Sequence, residues 1–312
     1  MFQRPYSLNR QRYWLHALLL VITFLTTTLA GADLARNFAQ GRAFVMNEDW
    51  FGYVRVWRQP ALLLSGLPFS LCLLAILMAH EMGHYITARR YQVGASLPYF
   101  LPAPTLIGTL GAFIRIRSPI QTKRALFDIG VGGPIAGFVV LVFVLAWGVS
   151  LSKVVPMAAE RGDLIFGTPL LTQFFLWIEF PRIQPVHILL HPVARAAWVG
   201  MLTTALNLLP IGQLDGGHIL YSFLGERTRL LSRVFVGGLL ALGGYQMYTT
   251  HMGSGTNWLV WAGVLFFLAL RHPELDDAEP IGAARAWVAL TALVIFVLCF
   301  MVSPVTTPAI RL

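Results

Sequence analysis

Residues 61–79, ALLLSGLPFSLCLLAILMA, contain no charged side chain. A helix of about 20 apolar residues matches the ~30 Å hydrocarbon core of a bilayer. Backbone polar groups in that core must be satisfied inside the segment itself, which restricts the chain to helices or closed barrels. The run therefore reads as a membrane-spanning helix, and its neighbours must be compatible with that.

Similar runs place spanning helices at about 14–31, 61–88, 129–152, 190–211, 231–249, 257–271 and 286–303. Only 12% of residues are charged, against roughly 25% in a soluble domain. The expected fold is an all-α polytopic membrane protein with about six to seven transmembrane helices. Three units are expected: an N-terminal transmembrane helix and external loop at 1–60, a membrane core with the chemistry-bearing motifs at 61–224, and C-terminal transmembrane helices at 225–312. The stretch 153–189 has 37 residues, too few for an ordinary independent domain.

The formal net charge is +9, but the basic residues are scattered between apolar runs instead of lining one polar face. That excludes a nucleic-acid surface and fits a lipid bilayer. Arg4, Arg10 and Arg12, then Arg89, Arg90, Arg115, Arg117, Lys123 and Arg124, then Arg227, Arg229 and Arg233 all fall on one side of the expected topology. Excess Lys and Arg mark the cytoplasmic side. The first apolar run carries Ala30-Gly31-Ala32, a small-x-small triplet of the cleavage-site kind, yet it is longer than a usual signal core; an uncleaved helix is expected. Cys72 and Cys299 fall inside apolar runs and read as small buried hydrophobes.

Directly after the uncharged run come His80, Glu81 and His84. Ionisable groups at such a depth are expensive and mark function. Positions i and i+4 share a helix face, so His80 and His84 can offer two imidazoles to one Zn²⁺, with Glu81 near a metal-bound water. A bland alternative is a buried polar cluster that ties helices together.

The stretch NLLPIGQLDGGHI, residues 207–219, supplies a candidate third ligand. Pro210 cannot continue the helical ladder, and Gly212, Gly216 and Gly217 favour non-helical backbone, so Asp215 is expected in broken backbone. Two His nitrogens and one Asp oxygen leave a zinc position open for water. Asp215 as the cap of a following helix is the competing reading.

These residues resemble the site-2 protease family of intramembrane zinc metalloproteases (peptidase family M50). The likeness rests on His80-Glu81-Met82-Gly83-His84, on Leu214-Asp215-Gly216-Gly217 with Asn207 and Pro210 upstream, and on FLPAPTLIGTLGAFIRIRSPI and GVGGPIAGF at 100–120 and 130–138. Leu208 stands where the family often has a proline, and 153–189 has no room for the PDZ or CBS domain many members carry.

The resemblance implies one Zn²⁺ per chain held by His80, His84 and Asp215, with Glu81 as general base, and single-span membrane proteins as substrates. Asn207 is a candidate oxyanion donor, or else an interhelical hydrogen bond. A short membrane-associated re-entrant β hairpin is expected at 94–120, with Gly111 and Phe113 as candidate substrate contacts and strand alternation at Ile114, Arg115, Ile116 and Arg117; a cytoplasmic loop that merely connects two helices is the competing reading. Gly133 and Gly137 have the small-xxx-small spacing that lets helices approach closely; Gly132, Gly133 and Pro134 are also expected to loosen the start of the third helix, with packing alone as the competing account, and His218 is a candidate neighbour of Asp215.

His187 and His191 read as interfacial residues. A bacterial cytoplasmic membrane, with the site towards the cytoplasm, is the expected location. Two other classes fit the histidines: a zinc hydrolase of another substrate class, such as a prenyl-protein endopeptidase, and a non-enzymatic ion-binding transporter. The first predicts a glutamate as third ligand; the second, two similar halves, and no internal repeat is visible.

Overall fold

The computed structural model describes residues 11–42, 60–156, 164–250, 258–263, 275 and 281–306. In chain order these form α1 (Tyr13–Ala39), α2 (Ala61–Arg90), β1 (Tyr99–Pro102), β2 (Thr109–Phe113), α3 (Lys123–Ser150), β3 (Lys153–Val154) and β4 (Ile165–Phe166). There follow α4 (Leu170–Glu179), β5 (Ile188–Leu189), α5 (Pro192–Asn207), α6 (Asp215–Leu224), α7 (Arg227–Thr250), α8 (Ala283–Cys299) and β6 (Val305–Thr306). Among the described residues, α1, α2, α3 and α7 are the four helices long and apolar enough to cross a membrane.

The expected run at 190–211 becomes the shorter α5. Pro192 opens it and it ends at Asn207, three residues before Pro210. Its residues are buried on nearly every side, and at Gly200 it meets Ile76 of α2 and Leu141 of α3. A helix surrounded by other helices needs no lipid-facing length, which explains an apolar stretch of only 16 residues. Of the expected helix at 257–271, residues 258–263 are helical and the remainder lies outside the described residues.

Small residues set how closely the long helices approach, as is common in membrane bundles. A Cβ on Gly31 would meet the Gly66 backbone, and one on Gly66 would strike the Thr28 carbonyl. The Ala30-Gly31-Ala32 triplet therefore lies within a continuous α1, at its contact with α2. Farther along α2, Gly83 faces the Gly132 carbonyl of α3 with no room for a side chain.

Strands β1 and β2 form an antiparallel hairpin in the register Tyr99↔Phe113, Phe100↔Ala112 and Pro102↔Thr109. It lies along α1: His16 Nδ1 sits 3.1 Å from the Pro98 carbonyl, the His16 and Tyr99 rings are 4.0 Å apart, and Thr26 Oγ1 donates to Gly108 O at 2.6 Å. The β2 ladder ends at Phe113, and the alternating segment Ile114 to Arg117 pairs back on 94–96: Ile116 bridges to Ala95, Ser96 N donates to Arg115 O at 2.9 Å and Arg117 N to Gly94 O at 2.7 Å. Its period reports burial, because Ile114 and Ile116 pack with Ala88, Val93 and Ile129.

The expected loosening of the third helix is also corrected. α3 starts earlier than expected, capped by Thr122, and runs through Pro134 without a break. Its glycines do not open the helix but admit neighbours, as the spacing of Gly133 and Gly137 led one to expect.

Overpacking a membrane-helix contact should cost roughly 1–3 kcal/mol. Gly66→Leu is expected to lower the unfolding temperature in detergent, whereas Gly244→Ala, whose new Cβ meets nothing within 4 Å, should leave it unchanged or slightly raised.

Candidate metal centre

α2 continues helically past its apolar run to Arg90, so His80 and His84 stand one turn apart, both buried. Their Nε2 atoms are 3.1 Å apart. Asp215 Oδ2 lies 3.3 Å from each. The structure thus joins residues separated by more than 130 positions.

The proton inventory explains what this triangle is for. His84 Nδ1 lies 2.7 Å from the Ile129 carbonyl, which can only accept, so Nδ1 carries the proton and donates. The Nε2 lone pair is then turned towards His80 and Asp215. Asp215 Oδ2 is buried and has no hydrogen-bond partner among the described residues. The His84 lone pair and the Asp215 carboxylate converge with His80 Nε2, a donor set that a cation would hold together. Zn²⁺ with bonds of ~2.0–2.1 Å in tetrahedral geometry spaces its ligands by about 3.3 Å, in agreement with the observed 3.1 and 3.3 Å. The residues present fit that metal, with a fourth position left for water.

Each donor is held by a specific backbone feature. A Cβ on Gly133 of α3 would occupy the His84 ring, and one on Gly137 would sit 3.0 Å from His80 Cβ. On the other side, the chain leaves α5 at Asn207 and turns through Gly212, whose φ is 48°. It re-enters a helix at Asp215.

Asp215 is therefore the first residue of α6 and not part of broken backbone, as its motif led one to expect. Gly216 and Gly217 are helical as well; they lie against the carbonyls of Leu208, Ile211 and Gly212, where a side chain would clash. Nor does the carboxylate cap the helix: Leu214 is the N-cap, with no side-chain bond.

Glu81 is buried beside the two imidazoles, with the Ile114 backbone near its carboxylate. It thus lies between the donors and the end of the hairpin. Asn207 Nδ2 is 3.2 Å from His80 Nε2. Gly111 and Phe113 lie farther out on β2: Gly111 has a φ of 102°, and Phe113 is 45% exposed and stacks on Tyr99 with centroids 5.5 Å apart.

His218 Cβ would lie 3.1 Å from a side chain at Gly130, which places His218 against α3. His191 caps the opposite end of α5, its Nδ1 accepting from Val193 N at 3.3 Å, and burial lowers its pKa.

Sequence reasoning missed one group. Arg285 of α8 reaches Asp128 through Nε at 2.9 Å and Nη2 at 2.7 Å, and the Tyr91 hydroxyl donates to the same carboxylate. Burial, then the Asp128 carboxylate, raises the Tyr91 pKa. Asp128 directly precedes Ile129, whose carbonyl orients His84. An acid at the head of an apolar run was the available signal, but its partner is 157 residues away.

Comparison with known proteins places this geometry among relatives. The model of peptidase family M50 matches residues 68–250. A protein of Oryza sativa subsp. japonica named "Probable zinc metalloprotease EGY1, chloroplastic" is 31% identical over 246 residues, covering 75% of this chain and 40% of the relative. Its Arabidopsis thaliana namesake is 31% identical over 249 residues, covering 76% and 43%. "Probable zinc metalloprotease EGY2, chloroplastic" of Arabidopsis thaliana is 28% identical over 242 residues, covering 75% and 41%. The chain thus spans about two fifths of the length of these relatives.

Purified protein is expected to hold about one zinc per chain, as a three-ligand site requires. Asp215→Ala should weaken retention at least tenfold in a chelator titration read by elemental mass spectrometry.

Proposed function

Because the chain belongs to peptidase family M50, we propose that it is a zinc metalloendopeptidase that hydrolyses a peptide bond within or near the transmembrane segment of a membrane protein. The observation that carries this reading is the convergence of His80, His84 and Asp215 beside Glu81, at the end of a bundle of apolar helices. A bound Zn²⁺ would lower the pKa of its water and polarise the scissile carbonyl.

The chain's own residues supply the remainder. His80 and His84 present Nε2, and the Ile129 carbonyl keeps His84 in the tautomer that does so. Glu81 takes the proton of the attacking water at a carboxylate oxygen and returns it to the leaving amine. Asn207, whose amide lies beside His80 Nε2, donates to the oxygen of the bond being cut.

A helical substrate hides its peptide bonds in its own hydrogen bonds and must unwind before attack. β2 pairs with β1 alone among the described strands, and Ile114, next after it, lies near the Glu81 carboxylate. An unwound segment adding to the free edge of β2 would bring its backbone to the general base. Gly111 and Phe113 lie on that strand, and we assign them to substrate contact. Single-span membrane proteins are the substrates this arrangement favours.

The helices give the location as a membrane, with the site on the side of Arg89 and Arg90. The positive-inside rule makes that side cytoplasmic. The relatives named above are chloroplastic proteins of plants, and they lend no support to the bacterial membrane expected from the sequence.

Glu81→Gln separates chemistry from binding. The variant is expected to keep its zinc and lose roughly 10²–10⁴-fold in cleavage of a single-span substrate in detergent. Undiminished cleavage would remove Glu81 from the mechanism, and a native chain that binds zinc without cleaving any single-span protein would favour ion binding as the function.

A further inference from the structure

Arg195 lies in the first turn of α5, where the helix dipole makes the helix end positive. A cation there is electrostatically disfavoured, and a guanidinium cannot shed its proton to relieve it. Among the described residues no carboxylate pairs with it; its side chain lies over the Phe166 ring, 4.5 Å from the centroid. The charge faces a cavity of about 330 Å³ walled by Phe166, Leu176, Ile188 and Leu190, with Thr168 and Thr172 as its hydroxyl-bearing members. Arg195 also lines an adjoining crevice together with Asn37 and Arg42.

This cavity is remote from the metal centre. Ala194 packs on Gly148 and His84 packs on Gly133, two glycines of the same α3. Fifteen residues of helix separate them, about 22 Å. The cavity's level in the bundle is marked by aromatic side chains. α4 buries Leu171, Thr172 and Leu176 while exposing Leu170, Phe174, Trp177 and Ile178, and Trp147 near the end of α3 is exposed as well. An amphipathic helix with outward Trp and Phe lies in the headgroup region of a bilayer.

We propose that this cavity is a binding site for an anionic membrane amphiphile, its phosphate or carboxylate held by the Arg195 guanidinium and its apolar part by the walls beneath α4. Arg presents a planar fork of donors that matches either oxyanion. The apolar walls exclude a fully hydrated ion as the natural occupant, and the headgroup depth puts lipid heads at the entrance. The site is independent of the proteolytic reading, and its test does not use catalysis.

The experiment is native mass spectrometry of the full chain in dodecyl maltoside, titrated with phosphatidylglycerol or phosphatidylcholine, with inorganic phosphate as a third probe. The native chain is expected to bind the first phosphatidylglycerol at least tenfold more tightly than phosphatidylcholine. Arg195→Gln should lose that preference, and Arg195→Lys should keep part of it. Val186→Trp, which fills the cavity with Arg195 in place, should lose binding while zinc content and melting temperature stay native, and it carries the test if Arg195→Gln does not fold. Retained preference in Arg195→Gln or in Val186→Trp overturns the proposal. So does a response to inorganic phosphate equal to that for phosphatidylglycerol, since the site would then recognise the ion alone.

Discussion

The close approach of α2 and α3 governs the geometry of the site. Gly83 meets Gly132 backbone to backbone, and the next residue, Gly133, leaves space for the His84 ring. Only at that separation can the Ile129 carbonyl reach His84 Nδ1 at 2.7 Å. A β-carbon on any of these glycines would push the helices apart or displace the imidazole. The same contact that packs the bundle thus fixes which nitrogen of His84 is free, and packing and chemistry share one cause.

The second constraint is electrostatic. His80, Glu81 and His84 follow an apolar helix, where unpaired charge or unsatisfied polarity costs several kcal/mol. Asp215 reaches them because α5 stops at Asn207 and the chain folds back through Gly212 into α6. The donors then face one another, and a divalent cation would balance the carboxylate and the two lone pairs. Arg195 shows the same logic at the other end of the bundle: a charge retained in partly apolar surroundings is a sign that something of opposite charge visits.

Parts of this were legible in the residues. The His80 and His84 spacing is a property of a single helix, so local periodicity specifies it, and the run 61–79 declares the medium around it. The hairpin was harder to read. Ile114 to Arg117 alternates as a strand does, burying Ile114 and Ile116 and pairing back on 94–96, while the longer ladder of the hairpin lies earlier, where no such alternation announces it. Gly216 and Gly217 read as helix breakers, although they sit inside a helix pressed against backbone carbonyls; composition cannot distinguish a glycine needed for its φ from one needed for its size. The Tyr91, Asp128 and Arg285 cluster was invisible for a different reason. Its members lie at the termini of separate helices, and no period connects them.

The sequence by itself determined the helical medium, the pair of imidazoles on one face of α2, the glutamate beside them and the family likeness, because each depends on neighbours a few residues apart. The tertiary structure alone decided that Asp215 completes the triangle from the first turn of α6, that Ile129 sets the tautomer, that the segment after the hairpin passes near Glu81 and that Arg195 faces a cavity. Those relations depend on how far apart helices pack. That distance is set by glycine contacts between segments whose mutual positions no local pattern encodes.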